Sequence, residues 1–438
     1  MAMIGYGDSM AWQASRSLPD EQPRETSVWE EASAWVALLP TLYITARGVI
    51  QYDTGPAVFQ FTAMEEDPVA HRVARLVFSL IVLLLLSSRF RSILDAAKRS
   101  KLLLLLPAIA FLSMLWSEYP GATLVGALNL LVTTLFAFYL YVRYPGDRLI
   151  SFLTFAAFVS LALCVLSVTA FPAIGTDPRY DDAWRGIFGH KNVCAVSCLL
   201  FLTVGLHARP RRIAEQFIRG SVIFLSLVFI LMSGSRQGWL LAALAIALTY
   251  SLRFVAQIRS LERLLFYLVL SIPLCLAVFF VQSNFTQLMA ALGKDPTMSQ
   301  RTIIWEQVLL SIAKRPLLGY GYSAFWSGLH GESIQAVLVT GWSENQAQSG
   351  YLDLLLQLGL AGLISLIVVL LRALAQAFAA IEHKMPKAAV LWAIVLLPLV
   401  LAENVGESWL LVPMGIPWLY ALMAFLILNR PDRCAEES

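Results

Sequence analysis

The chain has 438 residues, 58% of them hydrophobic and 14% charged, and its mean hydropathy of +0.69 lies well above that of soluble domains. At roughly 20 residues per crossing, about 12 membrane spans absorb most of this apolar content, which excludes a disordered chain, a secreted disulfide scaffold and a nucleic-acid binder. The net charge of +3 is too small to mark a polyanion partner, so the placement of Lys and Arg among the loops is more informative than their sum.

Residues 1–32 read as a polar, solvated cytoplasmic tail with no apolar leader region, so the first span is expected to act as its own insertion signal. Residues 33–282 hold nine apolar runs able to span, at about 33–50, 73–88, 102–117, 122–142, 149–170, 192–207, 220–233, 238–253 and 264–282. Pro40 and Arg47 interrupt the first run, and Pro107 sits inside the short third one. Residues 283–350 form the longest connection, and 351–428 carry three further runs, at about 351–371, 388–402 and 409–428, before a short tail at 429–438. The expected fold is all-α: a polytopic integral membrane protein of about twelve helices.

Alternate connections are basic. Arg89, Arg91, Lys98, Arg99 and Lys101 lie between the second and third runs, Arg209, Arg211, Arg212 and Arg219 between the sixth and seventh, and Lys384 and Lys387 before the eleventh. The intervening ones carry Glu65, Glu66, Asp67, Asp177, Asp181, Asp182, Glu403 and Glu407. By the positive-inside rule this alternation places both termini in the cytoplasm and the acidic loops outside. The long outer connection contains a helical pattern over 297–315, with Ile303, Ile304, Val308, Leu309 and Ile312 on one face and Pro316 and Gly319 ending it.

Cations are scarce on the acidic side, so those kept there need a reason. Arg185 and Lys191 lie in DDAWRGIFGHKN and Arg236 in SGSRQGW, a turn so short that its guanidinium must sit at the membrane surface. Either the three converge on an anionic headgroup, whose phosphate oxygens suit the guanidinium fork, or they pair with Asp182, Glu403 or Glu407. His190 reads as a hydrogen-bonded loop residue. Glu403 and Glu407, four apart, could carry a proton, orient the arginines or cap a helix. The aromatics of GYGYSAFW, residues 319–326, could stack on sugar rings or form an interfacial belt. Cys194 and Cys198 share one helix face without histidines beside them, so no metal site is expected.

Taken in order, LWSEYPGATL (115–124), RGIFGHKN (185–192), SGSRQGW (233–239), RTIIWEQ and KRPLLGYGYSAFW (within 301–326) and SGYLDLLLQLGLAGL (349–363) resemble the O-antigen ligase and polysaccharide polymerase superfamily, most closely its exopolysaccharide-production branch. The resemblance implies a metal-independent, cofactor-free glycosyltransferase of the bacterial inner membrane. Its substrates would be an undecaprenyl-pyrophosphate-linked glycan donor and a glycan acceptor, used on the periplasmic face. Polymerase is favoured over ligase, and flippase, chain-length and export proteins are expected partners. It further implies catalytic roles for Arg236, Arg185, Glu344 and Gln348. Substrate contacts are implied at Lys191, His190, Asn192, Ser235, Arg301, Tyr320, Tyr322, Trp326, Gln346 and Tyr351. In one stretch the chain departs from the branch: QAQSGYLD, residues 346–353, stands where HAHNGYLD is usual, and glutamine cannot act as a general base. Glu344 or His330 could substitute. A non-catalytic assembly subunit and a lipid-linked glycan transporter are the rival readings, though a transporter should keep charges at midspan.

Overall fold

The computed structural model describes residues 69–255, 301–326, 331–340, 346–382 and 388–429. The tail 1–32, the first expected span, the run 264–282, His330, Glu344 and residues 430–438 lie outside the described residues. The described chain is helical apart from a two-stranded hairpin, in which Thr176–Asp177 pairs antiparallel with Ala183–Trp184.

In chain order, α1 (Val69–Ser88) is followed by α2 (Phe90–Arg99) and α3 (Leu105–Leu112). Two long helices come next, α4 (Pro120–Arg143) and α5 (Asp147–Ala170). After a single turn, α6 (Pro172–Gly175), and the hairpin come α7 (Lys191–His207), α8 (Ile213–Met232) and α9 (Arg236–Val255). The outer connection contributes α10 (Arg301–Lys314) and α11 (Ile334–Thr340). The chain then forms α12 (Gly350–Glu382), α13 (Ala388–Glu403) and α14 (Ile416–Leu428).

Among the described residues, four helices are long and apolar enough to cross a membrane: Pro120–Arg143, Asp147–Ala170, Ile213–Met232 and Gly350–Ala380. A fifth crossing is possible if Val73–Ser88 and Phe90–Arg99, bent by 94°, count as one broken span. Lys191–His207, Ala388–Glu403 and Ile416–Leu428 are apolar but shorter. Nearly every residue of α7, α13 and α14 is buried, and these three short helices form the interior of the bundle, packed against α5, α8, α9 and the C-terminal end of α4. Trp392 on α13 is fully buried and donates its indole N–H to Thr203 Oγ1 on α7, 3.1 Å away.

Local sequence explains the helix ends. Pro120 occupies the first position of α4, where its missing N–H costs nothing, and Arg143 lies in the last turn. The C-terminal carbonyls of α7 are taken up by cations from neighbouring helices. Arg219 Nε donates to Gly205 O at 3.0 Å and Arg253 Nη2 to Leu206 O at 2.7 Å, which satisfies groups that the helix leaves open and complements its dipole.

α12 is broken at Gly359, whose φ of 59° and ψ of −156° lie outside helical space. The opened peptide groups do not go unpaired. Leu360 N–H bonds Pro316 O at 2.8 Å and Ala361 N–H bonds Leu317 O at 3.1 Å, while Leu356 O and Gln357 O accept from Tyr320 N–H (2.8 Å) and Gly321 N–H (3.0 Å). The turn 316–321 thus replaces one turn of helix ladder. The same turn is gripped from the other side by the WSE segment. Trp116 Nε1 donates to Leu318 O at 2.9 Å, Arg315 pairs with Glu118 at 2.8 Å, and Ser113 Oγ accepts from Tyr322 N–H at 2.9 Å.

The amphipathic helix expected over 297–315 appears as α10, with a shifted face. Ile304 and Val308 are buried against Tyr320, Phe325, Ala347 and Leu356 in a small second core, whereas Leu309 is exposed. A Cβ on Gly359 would lie 2.4 Å from Leu317 C and 2.5 Å from Leu317 O, with φ in the left-handed region. Gly359→Ala is therefore expected to cost on the order of 1–3 kcal/mol in strain alone, read as a lowered Tm of the detergent-purified protein beside a neutral Gly121→Ala control.

Candidate functional site

Four chain segments meet at one end of the short-helix core: the hairpin loop 171–190, the starts of α7 and α9, the start of α10, and the stretch 403–409 between α13 and α14. Each brings a polar group for a local reason. His190 caps α7, its Nδ1 accepting Asn192 N–H at 3.1 Å, so in the neutral ring the proton sits on Nε2. Ser235 caps α9 by accepting Gly238 N–H at 3.4 Å. Lys191 and Arg236 are therefore the first residues of two helices whose N-terminal dipole ends point the same way as their side-chain charges.

The two cations are neighbours. The Lys191 ammonium lies 3.9 Å from the point where Gly234 would carry a Cβ, and its electrostatic environment is set by Asp177 and Asp181 on one side and the Arg236 guanidinium on the other. Tyr180 supports this corner: its ring lies under the Lys191 ammonium, 4.5 Å from the centroid, and edge-on to His190 at 5.2 Å. Burial pushes the His190 imidazole down to about 4; Asp177 opposes that shift, and Arg179, Lys191 and Arg185 add to it.

Arg185 does not join that corner with a free fork. Its Nε donates to Ile174 O at 2.9 Å, its Nη2 to Ala173 O at 3.1 Å, and Nη1 is 4.0 Å from Asp177 Oδ2. It ties the hairpin loop to α6. Asp177 is fully buried; burial would raise its carboxyl, but the hydrogen bonds and charge of Arg179, with Arg185 beyond, hold it below the usual carboxylate range.

Glu407 is the centre of the second half of the site. Its Oε1 accepts from Asn192 Nδ2 at 2.8 Å and from Arg301 Nη2 at 3.0 Å, joining α7, α10 and the 403–409 stretch. Burial raises the Glu407 carboxyl, with Arg301 and Asn192 only partly offsetting it. Gly406 has no room for a side chain. A Cβ there would meet Gln237 Oε1 at 2.8 Å and Arg301 Nη1 at 2.9 Å, so Arg301 reaches the start of α9 as well. Gln237, next to Arg236, donates to Glu403 O at 3.0 Å. Beneath lies a small cavity between α7 and α13, lined by Leu199, Leu200, Leu399 and Val400. Glu403 and Trp409 also line this cavity, and Glu403 Oε2 and Trp409 Nε1 have no hydrogen-bond partner among the described residues.

Asp353 latches the outer connection onto this frame. Its carboxylate accepts Trp326 Nε1 at 2.7 Å, Ala347 N–H at 2.9 Å and the Ser408 hydroxyl. Gln348, with φ of 55°, and Gln346 are half-buried on that latch. Tyr351 donates its hydroxyl to Leu401 O at 2.8 Å. The aromatics of 319–326 differ from the expectation of an exposed sugar platform. Tyr320 and Tyr322 are buried, with hydroxyls donated to Ser311 O and Leu411 O, because the turn that carries them is clamped face-in against the break in α12. Trp326 is half-buried.

The site thus unites Lys191, His190, Asn192, Ser235, Arg236 and Arg301, and leaves Arg185 one shell away. The sequence singles out Glu403 and Glu407 as able to carry a proton, orient the arginines or cap a helix, and Glu407 stands at the centre of this geometry. Gln237, Tyr180 and Asp353 are not singled out by the sequence. Gln237 directly follows the arginine, and Asp353 lies inside the GYLD stretch, so proximity to the motifs is the signal that could have found both. Among the described residues no group of three or more His, Cys, Asp or Glu could hold a metal ion.

Two outcomes test this geometry. The neutral His190 contributes stability that is fully present above the ordinary histidine value of 6.5 and is lost as pH falls towards about 4. His190→Asn, which keeps a capping acceptor, should flatten the fall of Tm across that window. Asp353→Ala strands an indole, a backbone N–H and a hydroxyl, and should cost about 2–4 kcal/mol, seen as faster limited proteolysis within 327–345.

Residues 221–367 match the family model described as O-antigen ligase, a range that contains Arg236, Arg301, Gln348 and Asp353, while Lys191 and Glu407 lie outside it. Over 164 residues the chain is 26% identical to the exopolysaccharide production protein ExoQ of Rhizobium meliloti (strain 1021). That alignment takes in 35% of this chain and 37% of the relative, so the chain spans little more than a third of the curated relative's length. With its apolar helical bundle, the chain is a membrane protein that is similar, over residues 221–367, to the O-antigen ligase family.

Proposed function

We propose that the protein is an inner-membrane glycosyltransferase that polymerises undecaprenyl-pyrophosphate-linked oligosaccharide repeats into exopolysaccharide on the periplasmic face. The observation that carries this reading is the pairing of Lys191 and Arg236 at the dipole-positive starts of α7 and α9, with the Arg301 guanidinium reaching the same helix start. Such a corner suits a pyrophosphate: helix N-termini, a point charge and a planar fork favour multiply charged phosphate oxygens. The family match and the exopolysaccharide-production relative support a ligase- or polymerase-type function, and the preference for polymerase rests on the resemblance of the GYGYSAFW and GYLDLLLQLGL stretches to the exopolysaccharide branch.

In the reaction the acceptor sugar's hydroxyl oxygen bonds to the anomeric carbon of the donor while the bond from that carbon to the pyrophosphate oxygen breaks. Charge develops on the leaving pyrophosphate, and fixed cations stabilise it most where the surroundings are apolar and dry. Arg236 and Lys191 hold the leaving group, Ser235 and His190 fix the helix starts that aim them, and Arg185 orders the loop that carries Lys191. The long connection, with Trp326, Gln346 and Gln348, lies over the acceptor. The lipid tail lies among the spans, and flippase and chain-length or export proteins supply donor and remove polymer. Gln346 and Gln348 also suit a non-catalytic assembly subunit, which the following experiment separates.

Deletion of the gene should abolish high-molecular-weight surface polysaccharide on gel filtration and leave lipid-linked single repeats. Wild type should restore polymer, Arg236→Ala should lower the rate on the order of 10²–10³-fold, and Arg236→Lys should fall between because it keeps charge without the fork. Normal polymer in the deletion, or full rescue by Arg236→Ala, would overturn the reading in favour of an assembly subunit.

A further inference from the structure

Glycan transfer to a hydroxyl liberates a proton, and the following inference rests on that functional reading. As the new bond to the anomeric carbon forms, the electron pair of the broken bond leaves with the pyrophosphate, and the hydroxyl proton must pass to a base. Gln346 and Gln348 have no basic atom to offer. His190 has its Nδ1 engaged by Asn192 N–H and is a weak base in this setting.

Glu403 and Glu407 differ from these. They lie one helical turn apart, both nearly fully buried, on the stretch that faces the starts of α7 and α9. The charged groups on the elements packed around them are Arg301 from α10, Lys191 from α7, Arg236 from α9 and Asp353 from α12. Arg301 bonds one of the two carboxylates, Glu407. The other, Glu403, is one of the residues lining the small cavity, and its Oε2 has no hydrogen-bond partner among the described residues. Two carboxyls this close in a low-dielectric site ionise stepwise and hold one proton between them over a range of pH. Burial raises the Glu407 carboxyl above its ordinary value, with Arg301 and Asn192 opposing the shift, so its carboxylate is a stronger base than a solvated one.

We propose that the Glu403–Glu407 pair is the proton acceptor of the transfer step, Glu407 taking the proton of the acceptor hydroxyl through one water. The balance closes within the site. One carbon–oxygen bond forms and one breaks, the electron pair goes to the pyrophosphate, the proton goes to Glu407, and it is later released to solvent. Uptake of the proton also removes the charge that Glu407 sets against Arg301. The Arg301 guanidinium is then available to the pyrophosphate at the moment its negative charge appears, so proton uptake and leaving-group stabilisation are coupled through one hydrogen bond of 3.0 Å.

The test uses full-length protein in lipid nanodiscs with an undecaprenyl-pyrophosphate-linked repeat as donor, comparing wild type, Glu407→Gln and Glu407→Asp. In wild type the rate should fall on the acid side in step with the growth of a buried carboxylic-acid carbonyl band by infrared difference spectroscopy. Glu407→Gln should lose both that band and the acid limb, with kcat lowered about 100-fold or more and donor KM within about threefold. Glu407→Asp should keep an acid limb, displaced in pH, which separates loss of the carboxyl from loss of the fold. A wild-type protein with no titrating carbonyl band, or a Glu407→Gln variant with wild-type kcat and an unchanged acid limb, overturns the proton role while leaving the glycosyltransferase reading in place. A wild-type protein that moves no glycan overturns that reading, and the transfer role of the pair with it.

Discussion

Everything at the functional end of this molecule hangs on four backbone hydrogen bonds between the turn 316–321 and the break in α12 at Gly359. A helix that spans a membrane has no spare peptide groups, and opening it exposes donors and acceptors that cost several kcal/mol each in an apolar medium. Here the opened groups are closed by a second segment of backbone rather than by side chains, so the sequence at either partner is free to vary while the geometry is not. The break therefore serves as the anchorage of the outer connection. From it α10 is held against α12, which brings Arg301 to Glu407, and the 346–349 stretch is held by Asp353.

Electrostatics divide the bundle end to end. α7 begins with Lys191 and ends with Gly205 and Leu206 carbonyls that Arg219 and Arg253 occupy, so cations sit at both poles for opposite reasons. At the C-terminal pole they complement the dipole and are consumed by it. At the N-terminal pole Lys191 and Arg236 add to the dipole, a placement that draws negative charge to it. Asp177, Asp181 and Glu407 supply part of that negative charge in the resting protein.

The sequence made much of this frame legible. The runs at 122–142 and 149–170 return as α4 and α5 nearly to the residue, because long apolar stretches flanked by Pro120, Asp147 and arginines leave few other solutions. α10 was readable from its spacing, though its buried face turned by about one residue, since the partner surface on α12 rather than the pattern decides which side is covered. The inward burial of Tyr320 and Tyr322 was not legible. It follows from the break at Gly359, and a glycine inside an unbroken apolar run gives no local sign that the helix opens there. Arg185 illustrates the same limit. An arginine in a loop depleted of cations invites a ligand, yet its partners are the carbonyls of Ala173 and Ile174, which no motif announces. The Asn192, Arg301 and Glu407 constellation joins residues more than a hundred positions apart and became visible only in three dimensions.

The short interior helices carry a consequence for how a lipid-borne molecule meets this protein. At 1.5 Å per residue, helices of 17, 16 and 13 residues are about 26, 24 and 20 Å long, against a hydrocarbon layer of about 30 Å. The shortfall is made up at the functional end by irregular chain, residues 404–415, whose peptide groups are tolerable at that depth because protein surrounds them. On the functional reading proposed above, the carboxylates and cations would then lie within the thickness of the bilayer instead of above it. A headgroup tethered to a membrane lipid can then arrive by lateral diffusion from the side, as a ship enters a dry dock, with no need to lift its tail out of the apolar layer.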